Sequence, residues 1–304
     1  ENALVEKPQL TYFGELILSD HIITGSELAK GAGGEGVCLI AFDVFSGASM
    51  AFPTTTNDFT SCHAGLNFFT GARTGNKQVV VKTDAAKELQ SAIKHLGFCP
   101  DESQAGDPLH NPKVERHIRL LKEGTRCCLL RSGLPHRFWP AAISYFAIAR
   151  MISLKCPVYP NEIGKPQEKK KEGKTIWEFG SGKPGFNGII MPFGSLVFYK
   201  PVGHKDLAPF APRALPGLFC GWKLKAGLDF SGIHYVLDFE KVSKGAPGCH
   251  IPVQVHTSEI HIPEELKFPM SFSSVGVPGS PPSIDPLPFE EAAGDKTAIE
   301  KVVK

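Results

Sequence analysis

From Glu15 to Thr24 (ELILSDHIIT) apolar positions dominate a short run that Asp20 interrupts, the pattern of a strand. Gly31 to Gly36 (GAGGEG) reads as a hairpin connection, Val37 to Val44 as a second strand and Ala48 to Thr54 as a third. Asn57 to Phe69 has helical periodicity, with Asn57 as its candidate cap. Val79 to Val81 predicts a short buried strand ending near Asp84, and Ala85 to His95 a helix. Lys113 to Arg131 and Pro135 to Leu154 predict two longer helices. Three strands followed by strands alternating with helices make residues 10–155 an α/β domain with a mixed sheet.

Beyond Leu154 the pattern changes. Residues 156–188 are rich in Gly and Pro and hold the run Lys169, Lys170 and Lys171, which predicts a basic linker. From Met191 to about Ile262 the signal is β only. Ser195 to Tyr199 and Leu218 to Trp222 are apolar, and Ile233, Tyr235, Leu237 and Phe239 recur at period two. Residues 189–265 therefore predict a small antiparallel β-barrel. Residues 266–304 contain six prolines and predict a disordered tail.

Composition narrows the choices. Of 304 residues, 42% are apolar and 21% charged, enough for a sizeable core. A net charge of +2 excludes a histone-like polycation but leaves room for a locally basic surface. The apolar runs Val37 to Phe42 and Ala141 to Ile152 fall short of the roughly 20 residues that span a bilayer, so no membrane partner is expected. Residue 1 is Glu and no secretory signal pattern follows, as expected of a fragment or processed piece. The eight cysteines show no C-x-x-C spacing, against a zinc ribbon or a thioredoxin-type site. Free thiols in a reducing compartment are expected.

Three familiar motifs fail on context. Gly31-x-Gly33-x-x-Gly36 precedes a strand, whereas dinucleotide binding needs a helix N-terminus there. Gly182-Lys183 is followed by Pro184, where a P-loop requires Ser or Thr. His250, His256 and His261 are loosely spaced on a β-rich stretch, which favours a surface role over a metal site.

Three acids stand where strands end or a helix begins. Asp20 interrupts the first strand, Asp84 follows Val79 to Thr83, and Glu115 opens the helix from Lys113. Carboxylates gathered at the carboxyl edge of an α/β sheet suit Mg²⁺ or Mn²⁺. Two such ions can activate an attacking oxygen and stabilise the leaving oxygen of a phosphodiester. The same acids could equally terminate strands and favour a helix N-terminus. The helix from Lys113 to Arg131 carries six basic against two acidic residues. Val114, Ile118, Leu121, Thr125 and Cys128 form its buried stripe, leaving Glu115, Arg119 and Lys122 on an adjacent face.

These residues carry a resemblance. The stretch from Phe13 to about Leu154 resembles the catalytic core of retroelement integrases, particularly the Copia (Ty1-type) branch. The carrying segments are Leu18-Ser19-Asp20-His21, Ile40 to Gly47, Ala48 to Pro53 and Val81-Lys82-Thr83-Asp84. Asn111-Pro112-Lys113-Val114-Glu115-Arg116 is similar to the family's Asn-Gly-x-x-Glu-Arg signature. Downstream, Ser132-Gly133-Leu134-Pro135 and Phe138-Trp139 also look like family segments. The 30 residues between Asp84 and Glu115 fall somewhat short of the family's D-D-35-E spacing. Pro192-Phe193-Gly194 and Gly217 to Trp222 resemble the SH3-like barrel that follows this core.

The resemblance implies an RNase H-like sheet of five strands in the order 3-2-1-4-5, flanked by helices and followed by the barrel. It implies Asp20, Asp84 and Glu115 as catalytic residues and as ligands of two Mg²⁺ or Mn²⁺ ions. It implies DNA partners, both element ends and target. Lys113, Arg116, Arg119, Lys122 and the lysines of the 169–174 linker would contact phosphates. A homo-oligomer and a nuclear location follow from the implied reaction.

The chain departs from the pattern at Ala85-Ala86 and at Pro112, where the family has flexible glycine-containing turns. These 304 residues hold no counterpart of the family's upstream zinc module, which was lost or lies outside this fragment. Two further readings therefore stand beside the integrase: a catalytically inactive, transposon-derived nucleic-acid-binding remnant, and a structure-specific nuclease on the same fold.

Overall fold

The structure is a computed structural model and describes residues 10–75, 77–83, 86–102, 112–158, 162–201 and 213–271. Of the tail predicted over 266–304, residues 272–304 lie outside the described residues, whereas 266–271 pack on the body: the Lys267 carbonyl accepts from the Leu196 N–H at 2.8 Å, and Met270 joins an apolar cluster.

The first sheet begins as a meander. Strands β1 (Leu16–Ile23), β2 (Val37–Asp43) and β3 (Ser49–Thr54) pair antiparallel. Strands β4 (Val80–Thr83) and β5 (Cys99–Glu102) then add in parallel, β4 directly against β1. The order is β3-β2-β1-β4-β5, with mixed pairing as the resemblance implied. The resemblance implied a fifth strand, but the residue pattern does not locate it: Cys-Pro-Asp-Glu has neither alternation nor β-branched residues, and pairing with β4 alone makes it a strand.

Alternation along the strands divides the sheet into two faces. Ile17, Leu39, Ala41 and Val81 pack with Leu66 and Phe69 of helix α1 (Phe59–Thr70) and with Leu89 and Ile93 of α2 (Lys87–His95). On the other face Ile22, Cys38 and Ile40 pack with Leu121 of α3 (Pro112–Ser132) and with Ile143 and Ala147 of α4 (Trp139–Ser153). The cap of α1 is Asp58, not Asn57: its carboxylate accepts from the Ser61 N–H at 2.8 Å.

The segment expected to be a linker contains α5 (Pro166–Lys171) and α6 (Ile176–Ser181). Thr175 and Glu178 form a reciprocal capping box on α6, and Ile176 and Trp177 are buried. The Gly, Pro and Lys content of the segment predicts a linker, whereas α6 presents Ile176 and Trp177 to the common core.

A second five-stranded sheet follows, with order β10-β6-β7-β8-β9. It comprises β6 (Leu196–Tyr199), β7 (Leu215–Lys225), β8 (Asp229–Asp238), β9 (Val253–His256) and β10 (Ile260–His261), all paired antiparallel. Phe239 does not continue β8 but opens α7 (Phe239–Ser243), because Asp238 caps that helix by accepting from the Lys241 N–H at 2.9 Å. Trp177, Phe219, Trp222 and Val236 join Ile148 and Met151 of α4 in a core continuous with the first sheet.

Candidate active site

Strand β1 is the centre of the site because it neighbours both β2 and β4. Side-chain alternation puts Leu18, Asp20 and Ile22 on one face and Ile17, Ser19 and His21 on the other. The packing agrees. Leu18 clusters with Val114 of α3, Ile22 clusters with Leu121 of α3, and His21 Nε2 lies 3.5 Å from Cys62 Sγ of α1. Asp20 therefore belongs to the α3 face. It is half-buried, and its carboxylate accepts from the His21 N–H at 2.7 Å.

Helix α3 carries Glu115 in its first turn, where the helix dipole favours a carboxylate. The adjacent Val114 is 1% exposed and packs with Leu18, which fixes this turn to the β1 face that bears Asp20. Glu115 itself is exposed. Lys113, Arg116, Arg119 and Lys122 are exposed on the same helix, forming a basic stripe beside the acid. The predicted buried stripe is present: Val114, Leu121 and Thr125 are buried, and Ile118 and Cys128 half-buried. Asp84 lies outside the described residues, as do Ala85 and Asn111. Among the described residues, no group of three or more His, Cys, Asp or Glu side chains could hold a metal ion.

The lysine run is split. Lys169, Lys170 and Lys174 are exposed, but Lys171 is 1% exposed and its ammonium donates to Glu162. Lys171 is thus withdrawn from any phosphate contact. A 3.6-residue period points one member of the run inward, which the run's composition alone does not reveal.

Two buried polar residues have structural roles that the sequence reading did not assign. Asp43 is fully buried at the end of β2. Its carboxylate accepts from the Gly14 N–H at 2.9 Å, the Ser46 N–H at 2.7 Å and the Ser46 hydroxyl at 2.6 Å. It ties the entry to β1 to the β2–β3 turn, and Asp-x-x-Ser-Gly is the readable signal for such a turn. His117, two residues past Glu115, is buried and stacked on Phe42 with ring centroids 4.4 Å apart. Its Nε2 has no hydrogen-bond partner among the described residues, and burial, with the nearby Arg150 cation, pushes the imidazole down to about 4.

Burial also pushes the Cys62 thiol up to about 11, so it faces His21 as a neutral group. All eight cysteines are unpaired thiols. No described helix is long and apolar enough to cross a membrane.

The order and pairing of the first sheet, with helices on both faces, define an RNase H-like α/β fold. No protein-family model matches the chain, and no curated protein does. Among solved structures, the chain is similar to the catalytic core domain of BIV integrase, at 15% identity and a TM-score of 0.33, over 48% of this chain and 88% of that one. It is also similar to a chain in the simian T-cell lymphotropic virus intasome in complex with PP2A regulatory subunit B56 gamma. That match has 15% identity and a TM-score of 0.40, over 83% of this chain and 80% of that one.

Proposed function

We propose that this protein is an integrase-type enzyme of the Copia branch, joining element DNA ends to target DNA by metal-dependent polynucleotidyl transfer. The observation that carries the reading is the placement of Asp20 and the Glu115-bearing turn of α3 on one face of the strand where the sheet order reverses. That switch point is where open α/β sheets take ligands.

Asp84 belongs to the proposal through the resemblance, in which it is the second family Asp, following the segment that forms β4. Asp20, Asp84 and Glu115 would hold two Mg²⁺ or Mn²⁺ ions, hard cations that take carboxylate oxygens. When bound, the ions would supply an activated nucleophilic oxygen and charge stabilisation at the leaving oxygen. Lys113, Arg116, Arg119 and Lys122 position the phosphate backbone without reading sequence. The second sheet would serve as the SH3-like module, with DNA and further copies of the chain as partners.

The test is a Mn²⁺ titration followed by strand-transfer assays on the full chain, alongside Asp84→Asn and Glu115→Gln. Saturable binding at two sites, weakened by either substitution, with strand transfer lost while the unfolding midpoint holds, supports the reading. Metal-dependent transfer that survives Asp84→Asn overturns it. DNA binding without metal binding or transfer identifies the inactive remnant, a reading that Pro112 at the start of α3 favours. Cutting without joining identifies a nuclease.

A further inference from the structure

A cavity of about 540 Å³ lies where the β3 edge, α1 and α4 meet β7 and β8. It is remote in sequence from the three acids, and the proposed reaction leaves it without a role. Its walls are aromatic. Tyr145 of α4 stacks on Trp222 of β7, with centroids 5.2 Å apart and planes inclined by 15°. Phe52 and Phe68 meet edge to face at 5.9 Å, and Tyr235 closes one side.

The polar handles of the stacked pair are engaged elsewhere. The Tyr145 hydroxyl donates to the Met191 carbonyl at 2.9 Å, and the Trp222 indole N–H to the Ile189 carbonyl at 2.7 Å. Both residues are therefore fixed in orientation. Trp222 is 1% exposed and covered by Tyr145, Phe186 and Phe219, so the half-buried Phe52, Phe68, Tyr145 and Tyr235 supply the aromatic surface open to the cavity. The remaining polar character comes from neutral hydroxyls, among them Thr60, Ser61 and Ser144. Among the described residues, no Asp, Glu, Lys, Arg or His lines the cavity. Burial pushes the Cys220 thiol and the Tyr235 phenol upward, so these groups stay neutral as well.

These properties select a ligand class. Ligand pockets run from about 300 to 1,000 Å³, mostly apolar with a few polar groups. A charged ligand would lose hydration here without gaining a counter-charge. A nucleotide would bring phosphates, and no lysine or arginine among the described lining residues can neutralise them. A peptide strand would need the β3 edge, where the Ala51 carbonyl already accepts from the Ser144 hydroxyl at 3.3 Å. We propose that this cavity binds a free, neutral, planar aromatic small molecule held between the two sheets. The walls come from both sheets, so the ligand binds only when they are assembled and stabilises that assembly.

Calorimetric titration of the full chain with indole, together with thermal unfolding, tests this. Indole-2-carboxylate serves as the charged counterpart and cyclohexanol as the non-planar one. Ala64→Leu and Thr60→Tyr add bulk to the cavity from exposed positions on α1. Single-site saturable binding of indole with a Tm rise of about 3–6 °C is expected. Binding at least tenfold weaker for both counterparts, and for indole to either variant, completes the expected result. If Ala64→Leu fails to fold, Thr60→Tyr provides the same readout. Absence of saturable indole binding, equal binding of the carboxylate, or full binding by a folded variant would overturn the proposal.

Discussion

Lys171 and Glu162 form an ion pair inside the protein, the ammonium 2.7 and 2.9 Å from the two carboxylate oxygens, with side chains 0% and 4% exposed. Lys171 also donates to the Pro157 carbonyl at 3.2 Å and sits 4.8 Å over the Phe45 ring. The pair thereby anchors the segment after the first domain to the β2–β3 turn that Asp43 organises. Lys171→Met should cost about 3–5 kcal/mol, because Glu162 is left as a buried charge with its partner gone. The double variant Lys171→Met with Glu162→Leu should recover much of that loss. Urea unfolding of the wild type, both single variants and the double variant measures the coupling directly.

Acid should destabilise the fold through two histidines. His117 and His234 are buried, and each imidazole is pushed down to about 4, chiefly by desolvation. An unfolded histidine titrates near 6.5, so between those values the unfolded chain binds more protons than the folded one. The contribution is complete above pH 6.5 and is lost as pH falls toward 4. Each histidine adds a slope of up to about 1.4 kcal/mol per pH unit in that window. His117→Leu removes an unpartnered buried nitrogen and should flatten the acid limb. Urea midpoints at pH 7.5 and pH 5 compare the two proteins.

The α1 C-terminus makes a close backbone approach to the β7–β8 turn, where the Gly227 N–H donates to the Phe68 carbonyl at 2.9 Å. Gly71 has φ +53°, and a Cβ there would stand 2.5 Å from Gly227 N and 2.7 Å from its Cα. Gly75 has φ +52° with nothing within 4 Å of its Cβ position. Gly75→Ala should therefore cost only backbone strain, about 1–3 kcal/mol. Gly71→Ala should exceed it by about 2 kcal/mol, since two backbones must separate. Chemical denaturation of the pair isolates the collision from the strain.

The basic stripe on α3 predicts salt-dependent DNA binding that is indifferent to sequence. Arg119→Ala and Lys122→Ala should each lower the slope of log K against log salt by about 0.9 if the side chain contacts one phosphate. Affinity should fall by similar factors on unrelated duplexes. Fluorescence anisotropy across a salt series checks both expectations, and an unchanged slope would place the DNA elsewhere.

The strands and long helices were legible because their signals are local. Leu16–Ile23 signals a strand by its apolar run, with both faces buried, and the helical stripe from Val114 to Thr125 encodes which face of α3 is buried. The caps were less legible: Asn57 and Asp58 are adjacent and chemically similar, and the backbone at Asp58 decided between them. Strand β5 and the burial of Lys171 left no local trace, since each depends on a partner distant in sequence or hidden in a polar run.

The chain by itself determined an α/β first half, a β-rich second half and a basic helix that opens on Glu115. These follow from periodicity and charge, properties of neighbouring residues. Tertiary structure set β1 between β2 and β4, the order the resemblance implied, put Asp20 and the first turn of α3 on one face, and buried Glu162, Lys171, Ile176 and Trp177 of the expected linker. It also formed the aromatic cavity from residues as distant as Phe52 and Tyr235. The physical reason is that strand order and cavity walls arise from packing between segments, where apolar burial is collective and leaves no periodic mark on any one of them.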